Sequence, residues 1–165
     1  MIQTGGENQS RETIPPFFSP KISEIHMPAK NLCHDIVIQA LVADGWLITD
    51  DPLTITYGGK DLFVDIGAER MAIAAERGTE KIAVEIQSFL NPSSVRDLQE
   101  ATGQYAVYRE ILAEIDTDRV IYLAVPRRAY EGIFTDRLGQ LIVSRLGIKL
   151  LVFDENRKGV IKWIA

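Results

Sequence analysis

The chain has 165 residues, of which 46% are hydrophobic and 25% are charged, with a formal net charge of −5. These values are typical of a single globular domain, and no apolar run approaches the roughly 18 residues that a membrane span needs. Cys33 is the only cysteine, which excludes an internal disulfide and a cysteine-cluster zinc site. The first residues show no secretory pattern, so we expect a cytoplasmic protein.

Residues 1–26 differ in composition from the rest of the chain. Glycines and prolines lie among polar residues there without hydrophobic periodicity, which predicts a disordered N-terminal tail. We expect the globular domain to occupy residues 27–165. Its first helix is predicted to start at an Asn31 cap and to end near Asp44. The apolar stripe of this helix comprises Cys33, Ile36, Val37, Ala40 and Leu41.

A β meander is predicted after this helix. Its strands cover residues 46–49, 53–57, 62–66, 71–76 and 82–87. The alanines of the fourth segment would also favour a helix, but its position before a glycine turn favours a strand. Asp50-Asp51-Pro52 and Gly58-Gly59 are predicted turns.

A long helix is predicted to follow, starting at Asn91-Pro92 and ending near Ile115. The remaining predicted elements are a strand over residues 119–125, a helix over 129–146, and strands over 149–153 and 160–164. This order predicts an α/β fold with a mixed central sheet, in which the long helix crosses one sheet face.

Two predicted strands each carry one carboxylate opposite their aliphatic residues. Because side chains alternate along a strand, Asp65 faces away from the aliphatic residues of 62–66, and Glu85 faces away from those of 82–86. If the strands are neighbours, the two acids suit one Mg²⁺, and the backbone carbonyl of Ile86 can add a ligand. Solvent-facing acids are also common on amphipathic strands, so this pattern alone leaves a structural role open.

Gln87 is the next residue on the Glu85 face, about 6–7 Å further along the strand. A lysine at this position would orient an attacking water and stabilise the developing anion. Glutamine can hold a water by hydrogen bonds but carries no charge. Lys81 is about 13 Å back along the strand, and Lys60 has the opposite parity to Asp65, so neither is an obvious replacement.

Gln104 and Tyr108 lie one helical turn apart on the helix that follows the Glu85 strand. The glutamine amide could reach the carboxylates, or it could be partly buried and bonded to the main chain. The spacing of His34 favours an edge-of-core residue over a metal ligand, and Asp51 is most simply a turn residue.

The richest basic stretches are Arg127 with Arg128, and Arg137 with Arg145 and Lys149. Charge patterning favours solvated faces over a phosphate-binding track at both. The negative net charge also argues against non-specific nucleic-acid binding.

Several stretches together carry a family resemblance that covers residues 27–165. They are Met27-Pro28-Ala29-Lys30, His34-Asp35, Asp44-Gly45-Trp46, Asp51-Pro52-Leu53-Thr54-Ile55, Val64-Asp65-Ile66-Gly67-Ala68-Glu69, Lys81-Ile82-Ala83-Val84-Glu85-Ile86, Ser88-Phe89, Gly103-Gln104-Tyr105, Tyr122-Leu123-Ala124-Val125-Pro126 and Trp163-Ile164. In these stretches the chain resembles the XisH family, the fdxN element excision controlling factors.

The resemblance implies a restriction-endonuclease-like fold with a PD-(D/E)XK core. It implies Asp65, Glu85 and the Ile86 carbonyl as ligands of Mg²⁺ or Mn²⁺, and Gln87 departs from the usual lysine. Gln104 and Tyr108 resemble the Gln-x-x-x-Tyr motif of exonuclease-type branches of that fold. The implied catalytic set is therefore Asp65, Glu85, Gln87, Gln104 and Tyr108.

The resemblance also implies a role in site-specific excision of a DNA element, beside a XisI-type companion protein and a site-specific recombinase. The recombinase would perform the strand exchange, so we predict an accessory or controlling factor, with metal-dependent deoxyribonuclease activity left open. The alternative is a catalytically inactive module that binds the companion protein. The negative charge favours this alternative, whereas the paired acids favour a nuclease.

Overall fold

The computed structural model describes residues 29–72, 78–157 and 159–165. The predicted tail over residues 1–26 lies outside these ranges. The elements are α1 (Ala29–Ala43), β1 (Leu47–Asp50), β2 (Leu53–Tyr57), β3 (Lys60–Val64), β4 (Ile66–Met71), β5 (Thr79–Ile86), α2 (Ser94–Ile115), β6 (Arg119–Pro126), α3 (Arg127–Glu131), α4 (Arg137–Leu146), β7 (Leu150–Asp154) and β8 (Gly159–Ile164). Within the described ranges, no helix combines the length and the hydrophobicity needed to cross a membrane.

Six strands form the central sheet in the order β1-β4-β5-β6-β7-β8, and β2 pairs with β3 in a separate hairpin. The β5–β6 and β6–β7 pairs are parallel, and the other pairs are antiparallel. One core lies between the sheet and α1, and the other lies between the sheet, α2 and the hairpin. The predicted α/β fold, a mixed central sheet flanked by helices, is confirmed.

The long helix α2 is anchored to the sheet by Tyr105, which is 1% exposed. Its hydroxyl donates to the carbonyl of Ile121 at 3.3 Å and accepts from the main-chain N–H of Lys149 at 3.0 Å. Because Ile121 lies in β6 and Lys149 directly precedes β7, one side chain fixes α2 across two parallel strands. This contact positions the helix that follows the Glu85 strand.

Three predicted helix boundaries are wrong. The N-cap of α2 is Ser93, whose hydroxyl accepts from the N–H of Arg96, whereas the predicted start Asn91 precedes the helix and accepts from the N–H of Ser93. The helix α1 begins at Ala29, before the predicted Asn31 cap, because alanine and lysine are good helix formers.

The third wrong boundary concerns the helix predicted over residues 129–146, which is two helices. Gly132 ends α3 by donating its N–H to the carbonyls of Arg128 and Ala129. The Thr135 hydroxyl then donates to the carbonyls of Glu131 and Gly132, so side-chain bonds replace helical bonds between α3 and α4.

The strand predicted over residues 62–66 is interrupted at Asp65, where β3 ends and β4 begins. Val64 is buried in the α2-side core, whereas Ile66 is buried in the α1-side core. The prediction that these two residues share a face is therefore wrong. The cause is a change of partner, since the N–H of Asp65 bonds to the Glu85 side chain instead of continuing a strand ladder. Of the strand predicted over 71–76, Met71 ends β4, and residues 73–77 lie outside the described ranges.

Gly139 in α4 and Gly103 in α2 make a matched pair for a packing test. A Cβ at Gly139 would lie 2.0 Å from the Ile133 carbonyl oxygen, whereas a Cβ at Gly103 would meet no atom within 4 Å. We expect Gly139→Ala to lower the free energy of unfolding by about 3 kcal/mol. Gly103→Ala should raise it by about 0.5–1 kcal/mol. Urea denaturation would measure both changes, and equal effects would contradict the described α4 packing.

Candidate metal centre

The structure brings Asp65 and Glu85 together through two hydrogen bonds. Asp65 Oδ2 accepts from the N–H of Ile86 at 2.8 Å, and Glu85 Oε2 accepts from the N–H of Asp65 at 3.4 Å. Each carboxylate therefore binds the main chain at or next to the other acid. The arrangement depends on the interruption between β3 and β4, because that interruption places Asp65 beside the end of β5.

The carbonyl of Ile86 lies on the Asp65 side of β5. The N–H of Gln87 donates to the carbonyl of Ala124 in β6 at 3.0 Å, so the Gln87 N–H points toward β6. Peptide groups alternate in direction along a strand, so the N–H and C=O of Ile86 both point the other way, toward Asp65. The β4–β5 pairing reaches only Ile66 opposite Val84, which leaves Ile86 beyond the end of β4.

Two carboxylates and one carbonyl thus form an oxygen-only donor set. Oxygen donors suit Mg²⁺ or Mn²⁺, whereas zinc sites favour histidine and cysteine. Within residues 29–72, 78–157 and 159–165, no group of three or more His, Cys, Asp or Glu side chains could hold a metal ion, so this donor set has only two side chains. The residues present fit a divalent cation that keeps much of its shell as water and substrate.

Burial sets the electrostatics of this site. Glu85 is 6% exposed, and Asp65 is half-buried. Tyr108 on α2 is half-buried close to both acids, and its pKa is raised by burial first, then by the charges of Glu85 and Asp65. Gln104 lies one helical turn before Tyr108 and is also half-buried. The helix that carries the predicted Gln-x-x-x-Tyr residues therefore borders the carboxylates.

Neither Lys60 nor Lys81 lies close to the two carboxylates, so neither replaces the lysine that Gln87 lacks. Gln87 is half-buried, and strand alternation directs it to the Glu85 face. Lys81 lies near the other end of β5 and pairs with Asp116 at 3.8 Å. Lys60 is exposed at the start of β3, well before the interruption at Asp65.

Sequence reasoning missed the structural role of Arg128. Its guanidinium donates to the carbonyl of Phe89 at 2.8 Å and to the carbonyl of Ser88, and it pairs with Glu155 at 3.1 Å. Phe89 has a φ of 53°, a left-handed conformation that is strained for a non-glycine residue. Arg128 therefore fixes the chain directly after Gln87. The sequence signal that could have indicated this role was the Arg127-Arg128 pair directly after the apolar strand β6.

The other basic residues and His34 take ordinary structural positions. Arg127 pairs with Glu131 at 2.7 Å and lies 3.8 Å from Asp154. The remaining predicted basic stretch is solvent-facing, with Arg137 and Arg145 exposed and Lys149 half-buried. His34 Nε2 lies 2.9 Å from Asp51 Oδ1, which ties α1 to the turn before β2.

The raised pKa of Tyr108 provides a test of this geometry. Removing the two negative charges with Asp65→Asn and Glu85→Gln should lower the Tyr108 pKa, although burial will keep it above its ordinary value. Ultraviolet difference titration against Tyr108→Phe would isolate this residue from the other tyrosines. An unchanged pKa in the double variant would contradict the described proximity.

Comparison with known proteins gives a consistent family result. The XisH protein family model matches residues 27–161. An XisH family protein from Nostoc punctiforme PCC 73102, known from a crystal structure, is 38% identical in sequence to this chain. The match covers 81% of this chain and 99% of that protein's chain, with a TM-score of 0.73. An fdxN element excision controlling factor protein from Anabaena variabilis, also known from a crystal structure, is 40% identical in sequence. That match covers 82% of this chain and 99% of the other, with a TM-score of 0.74. No curated protein matches significantly. The chain belongs to the XisH family.

Proposed function

We propose that this protein is an accessory or controlling factor in the site-specific excision of a DNA element. Family membership and the description of the Anabaena variabilis relative support this role. We propose further that Asp65, Glu85 and the Ile86 carbonyl bind one Mg²⁺ or Mn²⁺ ion. The observation that carries the metal proposal is the pair of hydrogen bonds that sets both carboxylates at the end of β5.

The reaction that suits this site is hydrolysis of a DNA phosphodiester, in which water forms one P–O bond as another breaks. When bound, Mg²⁺ stabilises charge at the phosphate and makes a water more acidic. The Gln87 amide would orient the attacking water without supplying charge. Tyr108 stays protonated because its pKa is raised, so its hydroxyl can donate to a phosphate oxygen, with Gln104 one turn away.

A second candidate function is a catalytically inactive module that binds a XisI-type companion protein while a recombinase exchanges the strands. Gln87 favours this candidate, because a neutral amide cannot offset the negative charge of the phosphate and the two acids. The net charge of −5 points the same way, since it repels DNA. Metal binding and DNA cleavage separate the two candidates.

Metal binding should depend on both acids. We expect isothermal titration of the full chain with Mn²⁺ to show one site, and Asp65→Asn and Glu85→Gln each to weaken it by at least about tenfold. Glu114→Gln is the matched control, because it removes an exposed carboxylate on α2 and should leave the affinity unchanged. If wild type and both site variants bind Mn²⁺ equally, the site assignment is wrong.

Restoring a lysine tests whether Gln87 limits catalysis. With Mg²⁺ present, Gln87→Lys should cleave DNA about 10²-fold faster than wild type, because a fixed cation stabilises the developing anion. Gln87→Met is the control for side-chain length, and adding Glu85→Gln to Gln87→Lys should abolish the gain. Intact metal binding without cleavage by wild type or Gln87→Lys would favour the inactive interaction module.

A further inference from the structure

A cleft of about 800 Å³ opens on the α1 side of the central sheet. The helix α1 ends at Ala43 and covers only part of this sheet face, so the amino-terminal ends of β5 and β6 line the cleft. The lining includes Glu80 and Ile82 of β5, whereas Glu85 and Ile86 form the carboxylate site near the other end of the same strand. Along β5, Glu85 lies about 10 Å from Ile82 and about 17 Å from Glu80.

Three aromatic rings from different segments meet in the cleft. Trp163 lies 6.0 Å from Trp46 and 4.9 Å from Tyr122 between ring centroids, the second pair being edge-to-face. Tyr122 and Trp163 are half-buried, whereas Trp46 is 5% exposed. The buried Trp46 Nε1 has no hydrogen-bond acceptor among the described residues. The cleft thus offers open aromatic surface on Tyr122 and Trp163.

Arg70 shows which chemistry these rings accept. Its guanidinium lies 4.2 Å from the Trp46 ring centroid, and it pairs with Glu80 at 2.6 Å and with Asp44 at 3.7 Å. An arginine is therefore already held between an aromatic ring and two carboxylates. Arginine suits such a position because its planar guanidinium stacks on an aromatic face while its N–H groups bind carboxylates.

The charges that line the cleft favour a cationic ligand. Among the described lining residues, the carboxylates of Asp44, Glu80 and Asp118 face the cations of Arg70 and Lys81, which leaves one net negative charge. Both cations already form ion pairs, Arg70 within the cleft and Lys81 with Asp116. Asp118 is exposed at the rim beside β6. An incoming phosphate backbone would meet net negative charge here, whereas a basic polypeptide would meet complementary charge.

We propose that this aromatic–acidic cleft docks an arginine-bearing segment of a partner protein. The incoming guanidinium stacks on the half-buried rings of Trp163 and Tyr122 and pairs with Asp118. Because the carboxylate site lies toward the opposite end of β5, the partner and a divalent cation can bind at the same time.

Intrinsic fluorescence gives a direct test, because the chain has two tryptophans and both line the cleft. The full chain is titrated with a blocked pentapeptide that carries two arginines, and with the same peptide carrying two glutamines. We expect a saturable emission change with the arginine peptide alone. Asp118→Asn and Tyr122→Leu should weaken its binding by about three- to tenfold. Glu114→Gln, an exposed charge change on α2, should have no effect.

Three outcomes would overturn the proposal. They are an equal response to the glutamine peptide, unchanged affinity in Asp118→Asn, and a saturable response to a single-stranded oligonucleotide without one to the arginine peptide. The last outcome would assign the rings to nucleobase stacking. Asp118→Asn conserves side-chain shape at an exposed position, so misfolding does not confuse its result. Mn²⁺ titration of the same variant should match that of wild type, which separates a failure of the docking site from a failure of the proposed metal site.

Discussion

The Glu85 carboxylate accepts from the N–H of Asp65, and the Asp65 carboxylate accepts from the N–H of Ile86, the residue after Glu85. This exchange of hydrogen bonds links the junction between β3 and β4 to the end of β5. At Asp65 the chain leaves the β2–β3 hairpin, which packs on the α2-side core, and enters the six-stranded sheet. A carboxylate replaces the strand partner that each of these N–H groups would otherwise need. Hydrogen bonds to a charged acceptor stabilise a fold by about 1.5–3 kcal/mol, a range that suits the 2.8 Å bond from Ile86 to Asp65, whereas the 3.4 Å bond to Glu85 is weaker.

The sequence predicts the regular elements of this fold but not the interruption at Asp65. Alternation of apolar residues located most strands, and helical spacing located α1 and α2, because these elements bury one regular face. The alternation runs unbroken from Leu62 to Ile66, with neither glycine nor proline at Asp65, so nothing local marks the interruption. Only the long-range bond to Glu85 produces it.

The candidate site was predictable in its residue types but not in its geometry. Strand parity singled out Glu85 within β5 and directed Gln87 to the same face, and helical spacing paired Gln104 with Tyr108. Parity does not apply to Asp65, because this residue lies between β3 and β4. Arg128 was missed as a structural residue, because its acceptors are main-chain carbonyls about 40 residues away in sequence. The rings of Trp46, Tyr122 and Trp163 meet only through sheet pairing, so no local spacing predicts the cleft.

The two ends of β5 differ in chemistry. The carboxyl end carries the oxygen donors, and the amino end lines the aromatic–acidic cleft. The proposed docking cleft and the candidate metal site therefore lie toward opposite ends of one central strand and do not overlap.

The most direct test of the central claim is anomalous diffraction from crystals of the full chain grown with Mn²⁺. We expect one anomalous peak in contact with oxygens of Asp65 and Glu85 and with the Ile86 carbonyl, about 2.0–2.3 Å from each. Crystals without such a peak at saturating Mn²⁺, with the Asp65–Ile86 hydrogen bond intact, would contradict it and would leave the two acids with a purely structural role.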